Sequence, residues 1–160
     1  MPNKVKKQAV LIIDNIRSQH NVGSIFRTAD CVGVSHIYLC GTTPTPLDKY
    51  GRPVSEIAKT ALGAEKSVLY TYAKSTVGII NRLRKEGFEI VAIEQAKNSV
   101  DYRKLRMGSK VAFIVGNEVL GVSDKVLKLC DYVAEIPLRG EKESLNVAVA
   151  TGIALFRMIS

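Results

Sequence analysis

Short β-branched runs and amphipathic helical patterns alternate along nearly the whole chain, and this alternation limits the possible folds more than any other feature. Runs at 9–14, 36–40, 68–71, 89–93, 111–115 and 132–136 predict six strands. Between them, 22–32, 55–62, 76–86 and 123–130 carry apolar residues at helical spacing, and Gly87 closes the third pattern. Val22, Ile25, Phe26 and Ala29 fall on one face of the first helix. Strand and helix in turn imply an α/β fold, a parallel six-stranded sheet with helices on both faces. At 160 residues the chain suits one domain, 1–160, able to bury roughly 70% of its unfolded surface. No repeat, low-complexity tract or long linker divides it. The least regular stretches, 41–53 and 96–108, both follow strands, and binding residues of open α/β sheets gather at the carboxyl ends of strands.

Signals are densest in residues 136–156, IPLRGEKESLNVAVATGIALF. Pro137 cannot donate to a sheet ladder, so the last strand should end there. A polar loop from Arg139 to Glu143 follows, and Ser144 is a natural N-cap for a helix containing Leu145, Val147, Ala148, Val149, Ile153, Leu155 and Phe156. That helix is apolar nearly all round and is expected to be buried. Ser144 and Asn146 then stand at a helix start, whose free N–H groups favour an oxygen of a ligand or substrate.

Composition narrows the chemistry. Three widely spaced cysteines without a CxxC, and only two histidines, argue against a disulfide framework and a zinc site. No run approaches 18 apolar residues, and the charged N-terminus leads into an acid-containing strand rather than a cleavable signal, so a cytoplasmic protein is expected. The net charge of +8 suggests a polyanionic partner. There is no GxGxxG and no GxxxxGK[ST], which removes the main support for a dinucleotide-binding oxidoreductase or a P-loop protein.

Two further constellations carry polar residues into this frame. In DNIRSQHNVGSIFRTAD, Asn21 can cap the first helix, Gly23 permits close approach, and Arg27 lies off the apolar stripe. The planar fork of an arginine there suits a phosphate. In VAFIVGNEVLGVSD a buried strand breaks at Gly116, and Asn117, Glu118 and Gly121 precede a helix that Ser123 can cap.

Together the three stretches resemble the three motifs of the SpoU, or TrmH, ribose 2′-O-methyltransferases: N-x(5)-N-x-G-x(3)-R-T-A from Asn15 to Ala29, IVGNEVLGV from Ile114, and IPLRGEKESLNVAVATGIAL from Ile136. GTTPTP (41–46) and KTALGAE (59–65) are also similar to small members of that family. The resemblance implies the SPOUT architecture, in which the C-terminal segment forms a deep trefoil knot. It implies S-adenosylmethionine as cofactor, held mainly by backbone groups around Gly116, Ile136, Leu138 and Leu145, with no metal. RNA, tRNA or rRNA, is the implied substrate. Arg27 is then nearest the reacting hydroxyl and a phosphate, Asn21 positions it, and Glu118, Ser144 and Asn146 complete the pocket. A guanidinium pKa above about 12 suits an electrostatic clamp better than a base, which leaves the base open. Many relatives carry an added N-terminal RNA-binding domain. This chain has only MPNKVKKQ before its first strand, so a homodimer with combined basic surfaces is implied. Lys4, Lys6, Lys7, Arg17, Lys49, Arg52, Arg82, Arg84 and Lys85 are candidates for RNA-backbone contacts, and Tyr50 for base stacking. The rival reading is an RNA-binding protein that keeps the knot without catalysis. The joint presence of Asn21, Arg27, Glu118, Ser144 and Asn146 speaks against it.

Overall fold

A computed structural model describes residues 6–160. Lys4 lies outside the described residues. The elements follow in the order β1 (Gln8–Asp14), α1 (Gln19–Val32), β2 (His36–Cys40), α2 (Ser55–Ala61), α3 (Ala64–Ser67), β3 (Leu69–Ala73), α4 (Thr76–Lys85), β4 (Glu89–Ile93), β5 (Val100–Asp101), β6 (Lys110–Gly116), α5 (Asp124–Leu127), β7 (Tyr132–Glu135) and α6 (Val147–Ile159). The strands form one seven-stranded sheet ordered β3-β2-β1-β6-β4-β7-β5. Every pairing is parallel.

The alternation in β1 explains the layers. Ala9, Leu11 and Ile13 face one core with α1 (Val22, Ile25, Phe26), α2 (Ile57) and α6 (Leu155, Met158). Val10 and Ile12 face the other, with Ile79, Ile80 and Leu83 of α4 and Val126 of α5. Both faces of the central strands are therefore apolar, as a covered parallel sheet requires. Gly23 lets α1 and α2 touch: a Cβ built there would sit 1.9 Å from Thr60 Oγ1 and 2.4 Å from the Ile57 carbonyl oxygen.

Several expectations need correction. The sheet has a seventh strand, β5, which pairs with β7 at Ala134 and Glu135 and is too short to show a period. The helix expected at 123–130 is only one turn, Asp124–Leu127, capped by the Ser123 hydroxyl. The α2 pattern ends in left-handed backbone at Leu62 and Gly63, after which a short α3 begins. Ser18 rather than Asn21 caps α1, its hydroxyl accepting the Asn21 N–H at 3.2 Å. Ser144 does not cap α6. Asn146 does, its side-chain oxygen accepting the N–H of Ala148 at 2.9 Å and of Val149 at 3.3 Å. The last helix is not buried all round, since Val149, Ile153 and Phe156 are 51%, 39% and 51% exposed. These three recur at helical spacing and form one stripe, while Ala154, Leu155 and Met158 turn inward.

All three cysteines are free thiols. Burial pushes the Cys40 thiol up to about 11. Among the described residues no helix is long and apolar enough to cross a membrane, and no cluster of three or more His, Cys, Asp or Glu could hold a metal.

Candidate active site

The carboxyl ends of β4, β6 and β7 meet the start of α6, and a cleft opens there. Gly116, Ile136, Leu138 and Leu145 all line it, as do Glu118 and Ser144. The motifs are separated in sequence but adjacent in space because β6, β4 and β7 are neighbours in the sheet. Ile136 lies just past the end of β7, and Leu145 precedes α6 instead of opening it.

Gly116 is required by close packing. A Cβ on it would lie 2.5 Å from the Gly121 carbonyl carbon and 2.6 Å from the Val122 nitrogen. The loop between these positions folds back on itself, with Asn117 and Gly121 exchanging backbone hydrogen bonds at 3.2 and 2.9 Å. Gly121 has φ +67°, a conformation glycine adopts without strain. The slot is walled by the main chain of this loop and by the aliphatic Ile93, Ile136, Leu138 and Leu145, with Glu94, Gln95, Glu118 and Ser144 adding polar side chains, a mixture that suits a ligand with both apolar and polar parts.

Glu118 projects from this loop to the start of α1, where its carboxylate accepts the N–H of Ser18 at 2.9 Å and of Arg17 at 3.3 Å. Burial raises its pKa, but hydrogen bonds from the Ser18, Glu118 and Arg17 backbone and from the Asn21 side chain outweigh that and hold it below the ordinary glutamate value. Asn21 in turn accepts from the Asn146 side-chain amide at 3.2 Å. Glu118, Asn21 and Asn146 therefore form one connected polar set joining the second motif, α1 and α6.

Arg27 stands apart. It is exposed on α1, roughly 9 Å along the helix axis from Asn21, and does not line the cleft. Among the described residues it has no hydrogen-bond or ion-pair partner. Its place off the buried face of α1 agrees with the expectation.

Three participants were not among the candidate site residues read from the sequence. Glu94, just past β4, accepts the N–H of Gln95 at 2.9 Å and of Val122 at 3.1 Å and lines the cleft with Gln95. Asp14 is buried at the end of β1 and accepts from the Thr76 hydroxyl at 2.6 Å. Asn15, with φ +56°, accepts the Thr42 N–H at 3.0 Å and receives the Asn117 amide on its carbonyl at 2.8 Å. A second groove, on the other side of the loop from Asn117 to Gly121, runs past Asn15, Arg17, Ser18, Thr42 and Pro44.

The basic residues divide between the two edges of the sheet. Lys49 and Arg52 flank the exposed Tyr50 ring at 5.0 and 4.8 Å, in a loop held by Asp48, which accepts the Tyr50 and Arg52 N–H groups. Lys6 and Lys7 precede β1, and Arg82, Arg84 and Lys85 close α4, so these five lie toward the edge where strands begin, away from the cleft. Lys7 donates to the Met158 carbonyl, Arg82 pairs with Glu86 and Arg84 with Asp131.

A doubly covered parallel sheet with a cleft at its carboxyl edge and a polar set at its rim is the arrangement in which open α/β proteins bind their ligands. Comparison with known proteins makes this specific. Residues 8–156 match the SpoU rRNA Methylase family, and the chain belongs to that family. It is 32% identical over 153 residues to the tRNA (guanosine(18)-2′-O)-methyltransferase of Aquifex aeolicus, a match covering 96% of this chain and 69% of that protein. Its structure is similar to an rRNA methyltransferase of Sinorhizobium meliloti with S-adenosylmethionine bound (TM-score 0.85, 33% identity, 95% of this chain and 56% of that one). It is also similar to the A. aeolicus TrmH/SpoU tRNA modifying enzyme (TM-score 0.81, 32% identity, 95% and 75%). The chain thus spans little more than half the length of the S. meliloti protein.

Proposed function

We propose that this protein transfers a methyl group from S-adenosylmethionine to a ribose 2′-hydroxyl of structured RNA, tRNA or rRNA, in the cytoplasm. The observation that carries the reading is the convergence of Gly116, Ile136, Leu138 and Leu145 on one main-chain-walled slot, with the Glu118–Asn21–Asn146 set at its rim. The S. meliloti relative holds S-adenosylmethionine, which supports the same cofactor here.

The residues fit that group. The aliphatic walls and loop amides suit adenosine, and the Glu94 and Glu118 carboxylates suit a positively charged sulfur. When bound, S-adenosylmethionine supplies an electrophilic methyl on that sulfur. The chain's own work is then alignment and help with one proton. Asn146 is locked by its two capping bonds and by Asn21, which fixes a donor and acceptor at the rim. Glu118 is held as a carboxylate by backbone N–H groups, and it ties the loop to α1. Arg27 acts as a bidentate clamp on an RNA phosphate beside the reacting ribose, lowering the hydroxyl pKa by its charge. Ser144 closes the cleft from the loop before α6.

The same reading takes residues 1–160 as one domain, supported by the single sheet. It takes the segment from β7 to α6 as a trefoil knot. In support, this segment returns past the loops ending β4 and β6, where Gln95 donates to the Glu143 carbonyl at 3.1 Å. It also takes the protein as a homodimer. The Val149, Ile153 and Phe156 stripe is the surface such a dimer would cover, and Arg27 lies on the neighbouring helix, since α1 packs on α6.

The test is transfer of labelled methyl from S-adenosylmethionine to total RNA isolated from cells lacking this protein, followed by mapping of the 2′-O-methyl positions restored. A protein that binds RNA and cofactor but restores no position would refute the assignment and favour the non-catalytic reading.

A further inference from the structure

We infer that Val119 and Leu120 form an apolar platform on which the base of the nucleotide to be methylated packs. This rests on the methyltransferase reading above. Val119 and Leu120 are 89% and 84% exposed, more than any other large hydrophobic among the described residues. Adjacent aliphatic side chains are not left in water by a floppy segment here, because the loop is pinned. The Asn117 side-chain oxygen accepts both the Val119 N–H at 2.9 Å and the Leu120 N–H at 3.0 Å. Asn117 and Gly121 close the turn, and Glu94 anchors its end through the Val122 N–H. A turn held this firmly presents its two side chains in fixed positions.

The location indicates what meets them. Val119 and Leu120 belong to the shared wall of two depressions: the cleft containing Gly116, and the groove containing Arg17 and Thr42. A nucleotide whose ribose reaches over the rim into the cleft, with a phosphate on the Arg17 side, leaves its base over the tip of the wall. The two side chains carry no charge or hydrogen-bonding group, so they offer nothing to phosphate or sugar. They do offer contact to a flat heterocycle that has been unstacked, as enzymes that extrude a base hold it between aromatic or apolar side chains. The tip also stands beside Arg17 in a chain of net charge +8, and two side chains make far too small a patch for a stable interface between copies, which favours RNA over a second protein copy.

The test compares wild type with a Val119→Ser/Leu120→Ser double variant and with Leu120→Tyr. Initial methyl-transfer rates are measured against the concentration of total RNA from cells lacking the protein, at saturating S-adenosylmethionine. Calorimetry with S-adenosylmethionine and sedimentation velocity run alongside. The serine variant should raise KM for RNA by about tenfold, the scale of one lost base contact, with sedimentation and melting temperature unchanged and cofactor affinity altered far less than KM. Leu120→Tyr, which still offers a flat apolar surface, should keep the wild-type KM. An unchanged KM in the serine variant, with wild type active, overturns the platform alone. A parallel loss of cofactor affinity overturns it by making the tip a cover for the cleft, and a shift to a smaller sedimenting species overturns it by making the tip an interface between copies. A wild-type protein that methylates no RNA overturns the reading on which the platform rests, and the platform with it.

Discussion

The side-chain amide of Asn146 donates to the side-chain oxygen of Asn21 at 3.2 Å, joining residues 125 positions apart in the chain. The same Asn146 caps α6, so one residue both starts a helix and ties it to α1. These duties separate by substitution. Asn146→Ala should lose about 1 kcal/mol of stability with the cap. Asn146→Asp keeps the capping acceptor and should stay within about 0.5 kcal/mol of wild type, while methyl transfer falls in both. Chemical denaturation measures the first effect, and equal destabilisation by the two substitutions would show that capping is not what Asn146 supplies.

Gly116 faces main chain rather than a yielding side chain. Even Gly116→Ala places a methyl against the Gly121 and Val122 backbone, so stability should drop by about 1–3 kcal/mol and cofactor affinity should fall with it. Thermal melting and calorimetry report the two losses. An alanine variant with wild-type affinity would separate the cofactor slot from this turn.

How far the site was legible follows from these residues. Gly116, Ile136, Leu138 and Leu145 could be placed from sequence because they sit at strand ends and in motifs whose order is distinctive. Ser144 and Asn146 are equally good capping residues, so the start of α6 was not fixed by sequence; the fold gives the cap to Asn146 and leaves Leu145 before the helix. Glu94 was invisible because a lone acid after a strand looks like any solvated charge. The two residues of β5 are too few for a period to register. An apolar stripe on α6 predicts burial, but sequence cannot say whether its own chain or another covers it.

Glu118 should leave a mark on pH dependence. Its folded-state pKa is below the unfolded value, so its stabilisation is fully present above about pH 4.3, the ordinary glutamate value, and is lost as pH falls through the lower folded value. The difference in stability between wild type and Glu118→Gln should therefore be constant near neutrality and shrink in acid below that point. Urea denaturation from pH 7 downward checks this, and a difference that grows on acidification would reverse the assignment.

Arg27 carries the sharpest catalytic prediction. Arg27→Lys keeps the charge and loses the fork, so single-turnover methyl transfer should fall at least tenfold for every ~1.4 kcal/mol of transition-state contact removed. Cofactor affinity should not change, since Arg27 is outside the cleft. Because Arg27 is exposed, Arg27→Ala should alter stability by less than about 0.5 kcal/mol. Equal rates in all three proteins would take Arg27 out of the mechanism.

The exposed stripe on α6 predicts the assembly. Ile153→Asp/Phe156→Asp places two charges where the proposed dimer packs, and sedimentation should shift from dimer to monomer at micromolar concentration. A wild-type protein that sediments only as monomer would leave the stripe for another partner.

The cleft wall has a consequence for traffic into the site. In a chain of net charge +8, the residues lining this cleft include two carboxylates, Glu94 and Glu118, and no lysine or arginine. The neighbouring groove adds Arg17, but also Asp14 beside the shared Glu118, so its charge is mixed. Only the cleft is of one sign. On the proposed reading a polyanionic strand is repelled from that slot while a small cation is admitted, so RNA should not compete for the cofactor's place.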